Sequence, residues 1–295
     1  MNAVYTRVLT PFTAIDGENL AFYSWQPEDS VDQLDRLSDK ARGVVLIVHG
    51  LGEHAGRYDH VANALSDWGF VVHAYDQRGH GQSGGLPGVL PSDTALLDDL
   101  AEVVDDIRSQ YPRLPLILLG HSLGGLVVSR FVSLGIRPVT ALVLSSPALD
   151  AGLGFFQTTL LKILPRVTPN LCLNNGLDPN YLSRDPQVVK AYLADRGVHN
   201  KISTRLAHFI AAAGPATVAA AGQWRTPTLL MYAGADKLVN PQGSRRFAAR
   251  ATKSKAVKPG TVTAKCFDGY YHELFNEPGN AAVFELLKSW LDARF

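Results

Sequence analysis

The sequence predicts an α/β protein: a mostly parallel sheet with helices on both faces and one long helical insert between two late strands. Three observations carry that prediction. Short continuous apolar runs, the mark of strands buried on both faces, recur along the chain. Amphipathic stretches at helical spacing separate them, as in repeated βα units. One segment, residues 150–223, breaks the alternation without offering a buried strand of its own.

Residues 4–26 read as a hairpin turning at Asp16-Gly17. The buried strands are Val44-Val45-Leu46-Ile47-Val48, Phe70-Val71-Val72-His73-Ala74-Tyr75, Leu116-Ile117-Leu118-Leu119, Ala141-Leu142-Val143-Leu144 and Thr228-Leu229-Leu230-Met231-Tyr232. Between them, residues 95–111 place Leu96, Leu97, Leu100, Val103, Val104 and Ile107 on one helical face, and a last helix spans roughly 281–293. Residues 28–42 carry five acidic and three basic side chains and read as a solvated excursion; the Val31, Leu34 and Leu37 spacing would alternatively suit a partner-binding helix. The 150–223 segment is too long for a plain loop and is expected to form a helical cap over a core made of 1–149 and 224–295. Within it, the run from Phe155 to Leu164 is apolar on more than one face. It is either a helix packed on the core or a lid helix offering apolar surface to an acyl chain or a lipid interface.

Composition narrows the function. A hydrophobic share of 46% with 19% charged residues excludes a disordered chain. Lys+Arg of 28 against Asp+Glu of 27 leaves +1, which argues against a nucleic-acid binder relying on a basic surface. No stretch supplies the ~18 strongly apolar residues of a spanning helix; the most tempting, 207–222, is broken at Gly214-Pro215. The start lacks a basic then apolar leader, and Cys172 and Cys266 have no CxxC or metal spacing. The expectation is free thiols in a reducing, cytoplasmic setting, with peripheral membrane contact open.

Gly120-His121-Ser122-Leu123-Gly124 is a G-x-S-x-G in the setting that gives the pattern meaning. It follows a strand and precedes the helix-like Leu126-Val127-Val128-Ser129-Arg130-Phe131-Val132. So tight a turn strains the central residue, and the flanking glycines remove the Cβ atoms that would clash. Gly81-Gln82-Ser83-Gly84-Gly85 also matches, but Leu86-Pro87-Gly88 after it begins a helix poorly, so Ser83 reads as a loop residue. Ser122 as nucleophile needs a base, and the base needs an orienting acid. Of nine histidines, His272 alone follows the last predicted strand, and the chain order serine, acid, histidine of an α/β-hydrolase sheet fits it. Asp236, after the strand ending near Tyr232, is the acid; Asp268, four residues before His272, is the alternative. The oxyanion hole is expected from the backbone N–H of Leu123 and of Leu51, in His49-Gly50-Leu51-Gly52.

With these residues in place the chain resembles the monoacylglycerol lipase branch of the α/β-hydrolase superfamily. The specific part is the run from His49 to Tyr58, similar to that branch's HGxGEHxxRY segment. Asp76 to Ser83 is similar to DxRGHGxS, Gly120 to Gly125 to GHSxGG, Gly234 to Val239 to GxxDxLV and His272 to Glu277 to HELxNE. The resemblance implies an eight-stranded, mostly parallel sheet flanked by helices with an inserted cap, and a serine esterase needing neither metal nor organic cofactor. It implies that Glu53 and Arg57 sit where a glycerol head binds; a structural salt bridge between them, or from either to a neighbour, is the alternative. His121 is expected just behind the reacting groups. The substrate is expected to be a small lipid ester, with lysophospholipids, other carboxylic esters, peptides or acyl transfer as alternatives. Seven basic against three acidic residues in 151–222 disfavour a cationic substrate. Serine rather than aspartate at position 122 disfavours a dehalogenase or epoxide hydrolase, and the intact set of three disfavours a non-catalytic receptor.

Overall fold

In the computed structural model, residues 5–27, 41–152 and 154–295 are described, with backbone alone for 155, 156, 158, 160 and 162. The 28–42 excursion lies outside the described residues except at its last two positions. Strands β1 (Tyr5–Thr13) and β2 (Asn19–Pro27) form the antiparallel hairpin expected from Asp16-Gly17, and Gly17 takes a positive φ of 87° in the turn. There follow β3 (Val44–Val48), helix α1 (Asp59–Asp67), β4 (Val71–Tyr75), α2 (Ala95–Gln110), β5 (Leu116–His121), α3 (Leu123–Ser133) and β6 (Ala141–Ser145). The insert contributes α4 (Phe155–Val167), β7 (Cys172–Asn174), α5 (Pro186–Ala194), β8 (Lys201–Ser203) and α6 (Thr204–Ala220). The chain then returns to the sheet as β9 (Thr228–Ala233), with α7 (Gln242–Lys253), β10 (Val262–Phe267) and α8 (Ala281–Asp292).

Eight strands form one sheet in the order β1-β2-β4-β3-β5-β6-β9-β10. Pairing is parallel from β4 to β10 and antiparallel at the β1-β2-β4 edge. The continuous apolar runs explain the layering, because successive strand residues face opposite sides. Val44, Leu46 and Val48 face a core shared with α2, α3, α6 and α7, whereas Val45 and Ile47 face one shared with α1 and α8. Burying each such side chain contributes roughly 1.5–3 kcal/mol.

Two features of the insert differ from the sequence reading. It holds a two-stranded antiparallel ribbon, β7–β8, besides its helices. Three-residue strands with exposed polar positions leave no alternation to read. Helix α6 also runs unbroken through Gly214 and Pro215. A proline there forfeits one backbone hydrogen bond, roughly 3 kcal/mol in a helix interior. Packing of Leu206, Phe209, Ala213 and Val218 into the core offsets it, and bare Gly214 lets the helix close on Leu149, whose carbonyl oxygen a Cβ would meet at 2.7 Å.

The insert meets the carboxyl-terminal edge of the sheet through polar contacts. The His199 N–H donates to the Gly52 oxygen (2.9 Å), and the Ser203 N–H to that of Gly88 (2.9 Å). The Glu273 N–H donates to Leu182 (2.8 Å), and Arg184 Nε to the buried Glu277 carboxylate (2.5 Å). Among the described residues no helix is long and apolar enough to cross a membrane.

Candidate active site

Ser122 stands between β5 and α3 with φ 52° and ψ −117°, a region that L-residues with a Cβ rarely occupy. The glycines make the turn possible: a Cβ on Gly124 would collide with the Val48 carbonyl oxygen, and one on Gly120 would lie 2.6 Å from that of Gly124. The strained turn is pinned by the Ser122 N–H donating to Ser145 (3.0 Å) and by Ala148 N–H donating back to Ser122 (2.9 Å). The other matching serine is structural. Ser83 Oγ donates to the Asp76 carbonyl (2.5 Å) and accepts from the Ala21 N–H (2.8 Å), bracing the hairpin.

Asp236 follows β9 and His272 follows β10, so adjacent parallel strands deliver both to one edge. His272 Nδ1–H donates to Asp236 Oδ2 at 2.7 Å, both side chains being almost fully buried. The other Asp236 oxygen accepts the Leu238 and Val239 N–H groups, each at 2.9 Å. Burial opposes the Asp236 charge, but His272 and those two donors outweigh it and hold the carboxyl below its ordinary value. Burial likewise opposes an imidazolium at His272; Asp236, then Glu273 and Glu53, prevail and raise its pKa. An imidazole bonded through Nδ1 leaves Nε2 as its basic nitrogen. Asp268 does not enter: its Oδ1 receives the Cys266 thiol at 3.2 Å. Cys172 and Cys266 are both free thiols.

The loop after β3 flanks the serine. A Cβ on Gly50 would lie 3.2 Å from Ser122 Cβ. His49, fully buried and kept neutral by that burial, donates from Nδ1 to the Gly50 oxygen and accepts the Gln77 N–H at Nε2, both at 2.8 Å. The Gly50 N–H is occupied by Glu53 (2.6 Å). Among the described residues neither the Leu51 nor the Leu123 N–H has an acceptor in the protein, so these two amides remain available to a negatively charged oxygen near Ser122.

Glu53 and Arg57 do form the salt bridge weighed above (2.5 Å), and the neighbour that joins it is Glu273. Arg57 also binds Glu273 through NH1 and NH2, at 2.6 and 2.8 Å. The Tyr58 hydroxyl donates to Glu53 (2.7 Å), and Asn276 Nδ2 to Glu273 (2.8 Å). The guanidinium lies over the Tyr192 ring of α5, 4.8 Å from its centre. His121 packs against His272 with ring centres 4.7 Å apart; burial and the neighbouring His272 hold it at about 4, so it is neutral. These groups share one cavity of about 710 Å³, lined by Ser122, His272, Glu53, Arg57, Glu273 and His121 together with Leu51, Leu182, Leu193, Val198 and Leu238. Among the described residues no three His, Cys, Asp or Glu side chains converge as a metal would require.

A strained serine on the strand-to-helix turn after β5, with a buried acid–histidine pair carried by β9 and β10, two and three strands further along the sheet, defines a serine hydrolase of the α/β-hydrolase fold. The family model described as serine aminopeptidase, S33, matches residues 39–279, and the chain belongs to that family. It is 34% identical to a monoacylglycerol lipase of Mycolicibacterium smegmatis over 97% of each chain. It is 36% identical to the crystal structure of a monoacylglycerol lipase from Paleococcus ferrophilus, with a TM-score of 0.76 over 86% of this chain and 95% of that one. A soluble variant of monoglyceride lipase from Saccharomyces cerevisiae, solved with a substrate analogue, shares the fold at a TM-score of 0.83 and 21% identity, over 99% of this chain and 97% of that one.

Proposed function

We propose that the protein hydrolyses monoacylglycerols, or closely similar small acyl esters, to fatty acid and alcohol through an acyl-enzyme on Ser122. The observation that carries the reading is the buried Glu53–Arg57–Glu273 cluster lining the same cavity as Ser122 and His272. A small polyol needs a few fixed polar groups beside an apolar wall, and this cavity has both. The similarity to proteins named monoacylglycerol lipases supports the choice.

In this reading His272 Nε2 takes the Ser122 proton as Oγ attacks the ester carbonyl. Asp236 holds the tautomer and stabilises the imidazolium that forms. The Leu51 and Leu123 N–H groups receive the developing oxyanion. His272 returns the proton to the departing alcohol, and water, activated by the same nitrogen, releases the fatty acid. Glu53 and Arg57 orient the head group, with His121 behind them. Residues 150–223 act as a cap on a core of 1–149 and 224–295. Ile163, Val167, Leu171 and Leu173 of that cap are exposed and suit transient contact with a lipid surface, in keeping with a cytoplasmic enzyme working at membranes.

The family's description favours a second reading, an aminopeptidase. Parallel assays separate them: fatty acid released from monoacylglycerol, and arylamine from aminoacyl arylamides, by wild type and Ser122→Ala. The ester is expected to be cleaved and the arylamide spared, with the ester activity lost in Ser122→Ala. Cleavage of the arylamide alone would overturn the esterase reading, and cleavage of lysophospholipid in preference to monoacylglycerol would move it to a lysophospholipase.

A further inference from the structure

The geometry points to Arg57 as a built-in occupant of a cation site: its guanidinium fills an acidic, aromatic cage at the polar end of the cavity, so that end admits only uncharged head groups. The inference deepens the proposal above and rests on it for where the head group lies.

The cage is assembled from three parts of the chain. Glu53 comes from the loop after β3, Glu273 from the loop after β10, and Tyr192 from α5 of the insert. Two carboxylates and an aromatic face converging on one point is the arrangement that recognises a substrate ammonium or guanidinium. Here the point is taken. Arg57 binds both carboxylates at 2.5–2.8 Å and lies over the ring, with its side chain 11% exposed and each glutamate 5%. An incoming cation would have to displace a guanidinium tethered in place.

An anion fares no better. Asp195, on the same cavity and hydrogen-bonded to His54 Nε2 (2.8 Å), adds a third carboxylate, so one guanidinium faces three acids. Of the other basic side chains on the wall, His121 is neutral, burial pushes His199 down, His272 is bound to its own carboxylate, Asp236, and Lys201 is exposed on β8 and therefore screened by water. A phosphate brought here would meet excess negative charge in a poorly solvated place. Hydroxyl groups suffer neither penalty, since they can donate to the carboxylates and accept from Arg57. Removing Arg57 would open the cage to external cations, the ligand class that an aminopeptidase or a choline esterase recognises.

The test uses three esters with one acyl chain: the glycerol ester, the choline ester and the glycerol 3-phosphate ester. For the wild-type protein, kcat/KM is expected to favour the glycerol ester by about 100-fold or more over each charged one, the scale of a mispaired buried charge. In Arg57→Ala the choline ester is expected to gain about tenfold relative to the glycerol ester while the phosphate ester stays poor. Guanidinium chloride, well below denaturing concentrations, should raise the thermal midpoint of Arg57→Ala but not of wild type, a readout that survives even if the variant is weakly folded or inactive. Wild-type rates within threefold across the three esters, or an Arg57→Ala midpoint indifferent to guanidinium, would overturn the cage. Wild type that cleaves none of the esters yet is labelled at Ser122 by a fluorophosphonate would sink the lipid-ester reading instead, and the guanidinium midpoint would then decide the cage alone.

Discussion

The sheet core and the outer part of the insert, beyond α6, are held by different forces, and the division of labour follows from that. Every residue of β3 and β5 is buried, and the strained Ser122 turn is wedged between them with glycines where any side chain would collide. Helix α6 packs into that core, but the rest of the insert keeps Ile163, Val167, Leu173 and Leu193 exposed and meets the core edge through discrete polar contacts such as His54–Asp195 and Arg184–Glu277. A close-packed core fixes geometry to fractions of an ångström, as chemistry needs. The part of the insert outside α6, held by such partly exposed pairs, can shift at less cost than a close-packed core, as entry of an acyl chain in the proposed reaction would need. Changes in the core should therefore act on kcat by orders of magnitude, and changes in the insert on KM by small factors.

The largest effect is expected at Asp236→Asn. The amide would donate toward His272 and impose the wrong tautomer, so kcat should fall by about 10⁴-fold with little change in KM; steady-state ester kinetics would show it, and a loss under tenfold would mean that Asp236 does not orient the base. Next comes Gly50→Ala. The new methyl would sit 2.8 Å from Glu53 Oε1 and 3.2 Å from Ser122 Cβ, displacing the loop that carries the Leu51 N–H. A fall of about 10²-fold in kcat is expected, the scale of one lost oxyanion donor, with the thermal midpoint near wild type.

The pH dependence is smaller and has a definite sign. In the proposed mechanism His272 must be neutral to accept the serine proton, while Asp236, Glu273 and Glu53 favour its charged form despite burial. Activity should therefore fall as pH drops, along a limb with its midpoint above the ordinary histidine value of about 6.5. A kcat/KM profile with a limb below 6 would show that the carboxylates do not govern His272. The smallest effect belongs to the insert. Glu277→Gln turns an amide N–H toward the donors of Arg184, and because the Glu277 carboxylate is fully buried the cost in stability should be about 1–3 kcal/mol, with only a few-fold change in KM at unchanged kcat. A hundredfold loss of kcat there would erase the distinction between the two regions.

How far the sequence could be read follows the same division. The core strands announced themselves because burial on both faces leaves unmixed apolar runs, and the strained Ser122 turn and the Asp236–His272 pairing were legible because a strand end fixes where a side chain points. Glu273 and Tyr192 were not. An acid next to the base resembles any exposed residue before a helix, and Tyr192 lies on α5, where only Val189 is buried and no strong period marks the inward face. The β7–β8 ribbon is too short to show alternation, and Gly214-Pro215 reads as a break only until the packing of α6 is known. Local rules prevail where the backbone is over-determined and give way where tertiary contacts decide.

The most direct measurement is acid quench of the enzyme during turnover of a monoacylglycerol, followed by peptide mass spectrometry. An acyl adduct on the peptide carrying Ser122, absent in Ser122→Ala and accumulating with the burst of released glycerol, is the expected result. Turnover with no adduct, or with the acyl group on another residue, would contradict the account.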